Sequence, residues 1–452
     1  MKMSNVDRAQ VRRLFERETE RFVRDHPTSA KLFERAKDHL LAGVPMNWMV
    51  RWAGPFPIFV REGRRASVTD VDGHTYLDLC LGDTGSMFGH SPTTVVGVAA
   101  RQLRRGITMM LPSEDSVWVG EELARRFGLP YWQIALSATD ANRFAIRLAR
   151  EVTGRRRILV YNGCYHGTVD EALIDLEDGR VVPRRGNIGP PVDPDVTTRA
   201  IEFNDVDALE DALAPRDVAC VLAEPAMTNR GIIPPEPGYH DALRESTRRT
   251  GTLLILDETH TICCGPAGYT GAHGLRPDIV TLGKPIASGI PASAFGISEE
   301  VARRILDKVR AESTDESGIG GTLSGNALAV AAMRATLEQV ITQEAFERMM
   351  PLAERFEVGV DRLIREKDLP WHVVRLGVRI EYRFQREIPK NGKEADAGKD
   401  SELDALIHLY ALNRGILLTP FHNMALISPY TTRRDVDRHT RMLRECVEEV
   451  LP

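Results

Sequence analysis

The chain lacks a cysteine pattern. Its six cysteines, Cys80, Cys164, Cys220, Cys263, Cys264 and Cys446, are scattered over 452 residues with no CxxC spacing. That excludes a small disulfide framework, offers no zinc motif and suits a reducing cytoplasm; no metal centre is expected. No apolar run is long enough to cross a bilayer, which excludes a helical membrane anchor from the residues given. The opening "MKMSNVDRAQVRRLFERETERF" has no apolar core of the signal-peptide kind. It reads instead as an amphipathic helix with Val11, Leu14, Phe15 and Phe22 on its inner side. Basic clusters such as Arg155-Arg156-Arg157 are short and the net charge is −5, so a nucleic-acid footprint is not expected. There is no internal repeat.

What remains is an ordinary globular composition, 42% hydrophobic and 27% charged, in a chain too long for one simple core. The middle alternates short apolar runs with helical patterns. The runs are "RILVY" (157–161), "VACVLAE" (218–224), "TLLILDE" (252–258), "DIVTLGK" (278–284) and "ASAFGIS" (292–298). Most are apolar on both faces, as strands covered by helices on both sides are. "DANRFAIRLAREVTG" places Ala141, Ala145 and Leu148 on one helix face, with Gly154 as a stop. Alternation of this kind predicts an α/β domain with a mainly parallel sheet. After about residue 325 the pattern changes to long helices, strand-like "HVVRLGVRIEYRF", a polar stretch "QREIPKNGKEADAGKDSE" read as a mobile loop, two short strands and a charged last helix. The expected division is an N-terminal segment 1–75, a large domain 76–325 and a smaller α+β domain 326–452, with the N-terminal segment packing on the small domain or a partner subunit.

Ligands of open parallel sheets bind outside the carboxyl ends of the strands. Here those ends carry Lys284 ("TLGK"), Asp257 ("LLILD"), Glu224 ("VLAE"), Tyr165 and His166 ("CYHG"), and Ser137 and Thr139 at a helix start ("LSATDA"). An aspartate closing an apolar strand is expensive unless a donor or cation meets it. A lysine amine, a buried carboxylate, an aromatic ring and a hydroxyl-rich helix start together describe a site for pyridoxal 5′-phosphate. The lysine forms a Schiff base with the aldehyde, the carboxylate faces the ring nitrogen, the ring is stacked, and the helix start receives the phosphate.

The motifs "DVDGHTYLDL", "YHG", "LDETHT", "GK" 27 residues after Asp257, and "GTLSGN" resemble those of the class III pyridoxal-phosphate aminotransferases of fold type I. The subgroup that includes glutamate-1-semialdehyde aminomutase and the β-amino-acid and ω-transaminases is the most similar. The resemblance implies an enzyme in which Lys284 is the Schiff-base lysine, Asp257 the partner of the ring nitrogen, and Glu224 a neighbour of the lysine and the cofactor hydroxyl. Tyr165 and Thr259 would lie on opposite faces of the ring, with His166 and His260 beside it. Ser137, Ala138 and Thr139 would hold the phosphate, Ala138 standing where the family usually has glycine. Thr322 would reach the phosphate of a partner's cofactor, which implies a homodimer. By the same resemblance the substrate end holds Trp48, Arg51 and Phe421. Its aromatic character favours amino transfer from a hydrophobic amine to a keto or aldehyde acceptor, as ω-transaminases do. The alternative is an aminomutase or an amino-acid racemase on the same scaffold. A third reading, a non-catalytic relative acting as a binding module, sits badly with an intact Lys284–Asp257 pair.

Overall fold

A computed structural model describes residues 6–190, 193–312 and 318–451. The chain forms two compact units. One holds Met1–Pro92, Glu344–Ile388 and Gly398–Pro452; the other holds Thr93–Gln343 and Pro389–Ala397.

The larger unit is built on a seven-stranded sheet. Its order is Tyr131–Ala135, Ser293–Ile297, Ile279–Leu282, Leu253–Asp257, Val218–Ala223, Arg157–Tyr161, Thr198–Ile201. Val218–Ala223, Leu253–Asp257 and Ile279–Leu282 are buried at every residue, the pattern their unbroken apolar runs predict. Ile158, Val221, Leu222 and Ile255, fully enclosed in one core, each gain roughly 1.5–3 kcal/mol from leaving water. The last five strands of that order, from Ile279–Leu282 onward, run parallel. Ser293–Ile297 runs against both of its neighbours. Its reversal is invisible in sequence, because a strand buried on both faces is apolar in either direction. The Ala138–Thr153 helix lies across the sheet, capped by Ser137 at its start and by Gly154 in the left-handed region at its end.

Two placements differ from the sequence expectation. The helix Ala327–Gln339, read as opening the smaller domain, counts with the large unit because it packs on the helices Thr93–Leu103 and Glu114–Phe127. The polar stretch after residue 385, read as a mobile loop, contains the helix Gly392–Ala397. Gly392 presses on the backbone of Asn162, where a Cβ would meet the carbonyl oxygen at 2.3 Å, and Asp396 pairs with Arg230 at 2.7 Å. Polar composition alone did not reveal these anchors.

In the smaller unit the N-terminal segment and the C-terminal region share a sheet: Val60–Arg64, Ser67–Asp70 and Thr75–Asp78 are joined by Ile416–Leu417. A second sheet holds His372–Leu376, Arg379–Arg383 and Met424–Leu426. The helix Arg8–Asp25 buries Val11, Leu14 and Phe22, as its periodicity predicts. His26 Nε2 and Asp70 Oδ2 both meet the Tyr76 hydroxyl at 2.7 Å, tying the end of that helix to the hairpin. His26, Asp70 and His74 bring their ligand-type atoms within 4.8 Å of one another. Among the described residues, no helix is long and apolar enough to cross a membrane.

Candidate active site

Leu253–Asp257 pairs in parallel with Ile279–Leu282 on one side and Val218–Ala223 on the other. Three neighbouring parallel strands must end on the same edge, so Asp257, Glu224 and Lys284 leave the sheet together.

Asp257 is buried, and three donors fix its carboxylate. Oδ2 accepts from Asn142 Nδ2 at 2.8 Å and from His166 Nδ1 at 2.9 Å; Oδ1 accepts from the Thr259 N–H at 3.0 Å. A carboxylate offers about four acceptor sites, so one on Oδ1 is left for a further donor. Burial pushes the carboxyl up, but the hydrogen bond and charge of His166 outweigh it and hold Asp257 at about 2. For His166 burial likewise opposes charge, and the Cys164 sulfur with the Asp257 carboxylate overrides it, raising the imidazole to about 10. The two form a buried ion pair. His166 is fully enclosed, so its influence runs through Asp257. The sequence expectation set it beside the cofactor; its observed partner is the Asp257 carboxylate.

Lys284 follows the strand end in the left-handed region, at φ 48, and opens a short turn. For a residue with a Cβ this conformation is uncommon and costs of order 1 kcal/mol. Its Nζ lies 2.9 Å from His260 Nε2. The preceding Gly283 is required by a close approach: a Cβ there would stand 2.7 Å from the Ala138 Cβ. Ala138 is itself the first residue of its helix, so no positive φ is demanded of it.

At that helix start the Ser137 hydroxyl accepts from the Asp140 N–H and donates to the Asp140 carboxylate at 2.8 Å. Its main engagement is therefore the cap. Thr139 Oγ1 accepts from the Thr168 N–H at 3.1 Å and fills the space above Gly167, at φ 80, where a Cβ would clash at 2.1 Å. The "YHG" turn and the helix start are thus locked together. The N–H groups of Ala138 and Thr139 belong to the first turn, which has no intrahelical acceptors for them, and they suit a phosphate.

Glu224 is buried and bonded to Thr228, the hydroxyl at 2.5 Å and the N–H at 3.3 Å, and burial raises its pKa. Tyr165 is half-buried, the Thr259 hydroxyl is buried with no hydrogen-bond partner among the described residues, and Thr322 is exposed. Trp48, Arg51 and Phe421 belong to the smaller unit and form their own cluster. Trp48 meets Phe421 edge-on at 5.8 Å, and the Arg51 guanidinium lies 5.5 Å from the centre of the Phe421 ring.

Two residues that sequence reading missed complete the large-unit constellation: Asn142, between Asp257 and the His166 carbonyl, and Thr281, whose hydroxyl meets Asn142 Oδ1 at 2.6 Å. The available signal was a lone polar residue on an apolar helix face and another inside an apolar strand. The residues present fit a planar ring with one N–H donor for Asp257, an aldehyde for Lys284 and a phosphate for the helix start.

The sequence profile of the family Aminotransferase class-III matches residues 48–447. A glutamate-1-semialdehyde 2,1-aminomutase of Halalkalibacterium halodurans is 32% identical over 424 residues, covering 90% of this chain and 95% of the relative. The crystal structure of a glutamate-1-semialdehyde-aminomutase from Pseudomonas aeruginosa PAO1 superposes with a TM-score of 0.96 at 52% identity, over 98% of this chain and 99% of that one; a lysine-to-alanine variant of it was solved in complex with PMP. An omega-transaminase from Sphaerobacter thermophilus superposes with a TM-score of 0.84 at 28% identity, covering 93% and 97%.

Proposed function

The chain belongs to the class III aminotransferases, pyridoxal-phosphate enzymes of fold type I, and from that premise we propose that it moves an amino group within a single substrate, as an aminomutase of the glutamate-1-semialdehyde type does. The 52% identity to the Pseudomonas aminomutase carries this reading. It is supported by Arg51, a guanidinium laid on an aromatic ring with no carboxylate partner among the described residues. A planar fork of this kind matches the two oxygens of a substrate carboxylate.

When bound, the cofactor supplies an electron sink that takes up the charge left at a carbon that has lost its proton. Asp257, held ionised, would keep the ring nitrogen protonated. Lys284 Nζ would hold the cofactor's aldehyde and, once freed by the substrate's amine, would serve as the base that removes the proton from the carbon losing the amino group and as the acid that delivers one to the carbon gaining it. The Ala138 and Thr139 N–H groups would orient the phosphate, the Ser137 hydroxyl turning to it only by giving up its bond to the Asp140 carboxylate; Tyr165 and Thr259 would hold the ring faces, and His260 and Glu224 would stand near the ring hydroxyl.

A second reading has its own observation. Trp48 and Phe421 make an aromatic wall that suits a hydrophobic amine, donated to a separate acceptor. Three assays separate the readings: glutamate-1-semialdehyde alone, 1-phenylethylamine with pyruvate, and β-phenylalanine with pyruvate. The expected result is isomerisation of the first without added acceptor, reduced at least about tenfold by Arg51→Ala, the loss of one charge-assisted pair. Turnover confined to 1-phenylethylamine and indifferent to Arg51→Ala would replace the aminomutase by a transaminase. Return of the first substrate with inverted configuration and unmoved nitrogen would indicate a racemase.

The working unit is proposed to be a homodimer in the cytoplasm, with Thr322 serving the partner's phosphate. Ile107, Met109, Met110 and Leu111 stand exposed in one segment, the last two by more than 70%. The Ile107 carbonyl is tied to the Ala327 N–H, five residues beyond Thr322. An exposed apolar run of this kind calls for a cover. Sedimentation at assay concentration should give a dimer, and Thr322→Ala should weaken cofactor binding several-fold. A fully active monomer would contradict the shared site.

A further inference from the structure

Asn142 is wholly buried on the Ala138–Thr153 helix. Its side-chain amide meets three groups: Asp257 Oδ2 at 2.8 Å, the His166 carbonyl at 3.2 Å and the Thr281 hydroxyl at 2.6 Å. A carboxylate and a peptide carbonyl only accept, so each needs one of the two amide N–H bonds. The NH2 end must face them, which leaves Oδ1 to Thr281, whose hydroxyl must then donate. The flipped amide would set an oxygen against two acceptors. The chain Thr281→Asn142→Asp257 therefore runs one way only.

We infer that Asn142 is a positioning residue for Asp257, with Thr281 as its lock; the inference rests on the reading that Asp257 faces the ring nitrogen of the bound cofactor. With Asn142 in place, both acceptor sites of Oδ2 are filled and the carboxylate cannot turn about its Cβ–Cγ bond without losing these two bonds and that of the Thr259 N–H to Oδ1. The open acceptor site is thereby kept on Oδ1, in one direction. The same amide holds the His166 carbonyl, and so the turn that carries Tyr165. Thr281 lies three residues before Lys284 on the adjacent strand, so one chain of hydrogen bonds registers the lysine's strand, the helix and the aspartate's strand against one another.

The test uses the holoenzyme and three variants. Thr281→Val keeps the shape and removes the hydroxyl; Thr281→Ser keeps the hydroxyl; Asn142→Ala removes the amide. The readouts are the dissociation constant of pyridoxal 5′-phosphate from the apoenzyme and the pH midpoint of the bound cofactor's visible absorption. Asn142→Ala should weaken binding at least about tenfold and displace the midpoint. Thr281→Val should move both in the same direction by less, and Thr281→Ser should stay within about twofold of the parent. A Thr281→Val protein with parental binding and parental midpoint overturns the inference, and if Asn142→Ala does not fold, the Val/Ser pair decides alone. Borohydride reduction keeps the two levels apart. If the parent is not labelled at Lys284, the functional reading fails; if it is labelled and the Val variant is unchanged, only the role of Asn142 fails.

Discussion

Lys284→Ala is expected to lower turnover by at least about a thousandfold, the scale set by losing the group that both holds the cofactor and transfers the proton, while the protein stays folded. Folding should survive for a specific reason. The unusual backbone at Lys284, φ 48, is imposed between an extended Gly283 and Pro285. Alanine keeps the Cβ and so carries the same conformational cost; what it deletes is a flexible chain ending 2.9 Å from His260. Thermal melting of the two apoenzymes should agree within a few degrees. Borohydride should fix the cofactor to a peptide containing Lys284 in the parent and to none in the variant. Label on another lysine, or a variant retaining a tenth of the activity, would remove Lys284 from the centre of the chemistry.

Asp257→Ala is expected to fail differently, in stability as well as in turnover. Removing one member of a buried ion pair leaves the His166 imidazole to give up its proton or to stay charged without a counter-ion, at a cost of up to about 3–5 kcal/mol. Asn142 also loses an acceptor for one of its N–H bonds. Asparagine is a poor substitute: donors approach Asp257 from both sides, so the amide nitrogen of an asparagine meets a donor whichever way it turns. The pH dependence has a definite sign. His166 holds its proton more tightly when folded, so its contribution is complete below the ordinary histidine value near 6.5 and fades as pH rises through about 10. Asp257 holds its proton less tightly when folded, so its contribution is complete above the ordinary value near 3.9 and fades as pH falls through about 2. The gap in unfolding free energy between parent and Asp257→Ala apoenzyme should therefore be widest between about pH 4 and 6.5 and narrow toward pH 10. Urea titrations at pH 5.5, 8 and 10 measure it. A gap that is flat, or that widens with pH, would show that His166 is not the charge Asp257 compensates.

The strands that place the site could be read from the sequence because burial on both faces leaves unbroken apolar runs, as at 218–223 and 253–257. Their polar terminators stood out against that background. The supports behind them did not. Asn142 sits on a helix face whose neighbours Ala141, Ala145 and Leu148 are also buried, and a single polar residue there reads as noise until the partner strand is in place. His166 was visible as a residue but not as the base of a pair, since its partner lies 91 positions away. The left-handed turn at Lys284 is equally silent, because glycine or asparagine, the usual markers of that region, is absent. Thr228, which caps the Glu224 carboxylate, belongs to a loop with no periodicity to read.

The contact between Gly283 and Ala138 has a bearing on how such sequences can diverge. A Cβ at 283 would lie 2.7 Å from the alanine methyl, but 3.3 Å from its Cα. With glycine at 138 the first clash disappears and the second is within reach of a small shift. The crossing of strand end and helix start thus has room for one methyl group shared between two positions 145 residues apart. This chain has placed it on the helix; a relative with glycine there is free to place it beside the lysine. Substitution at these two sites is constrained as a pair, because the space open to a side chain at one depends on what already stands at the other.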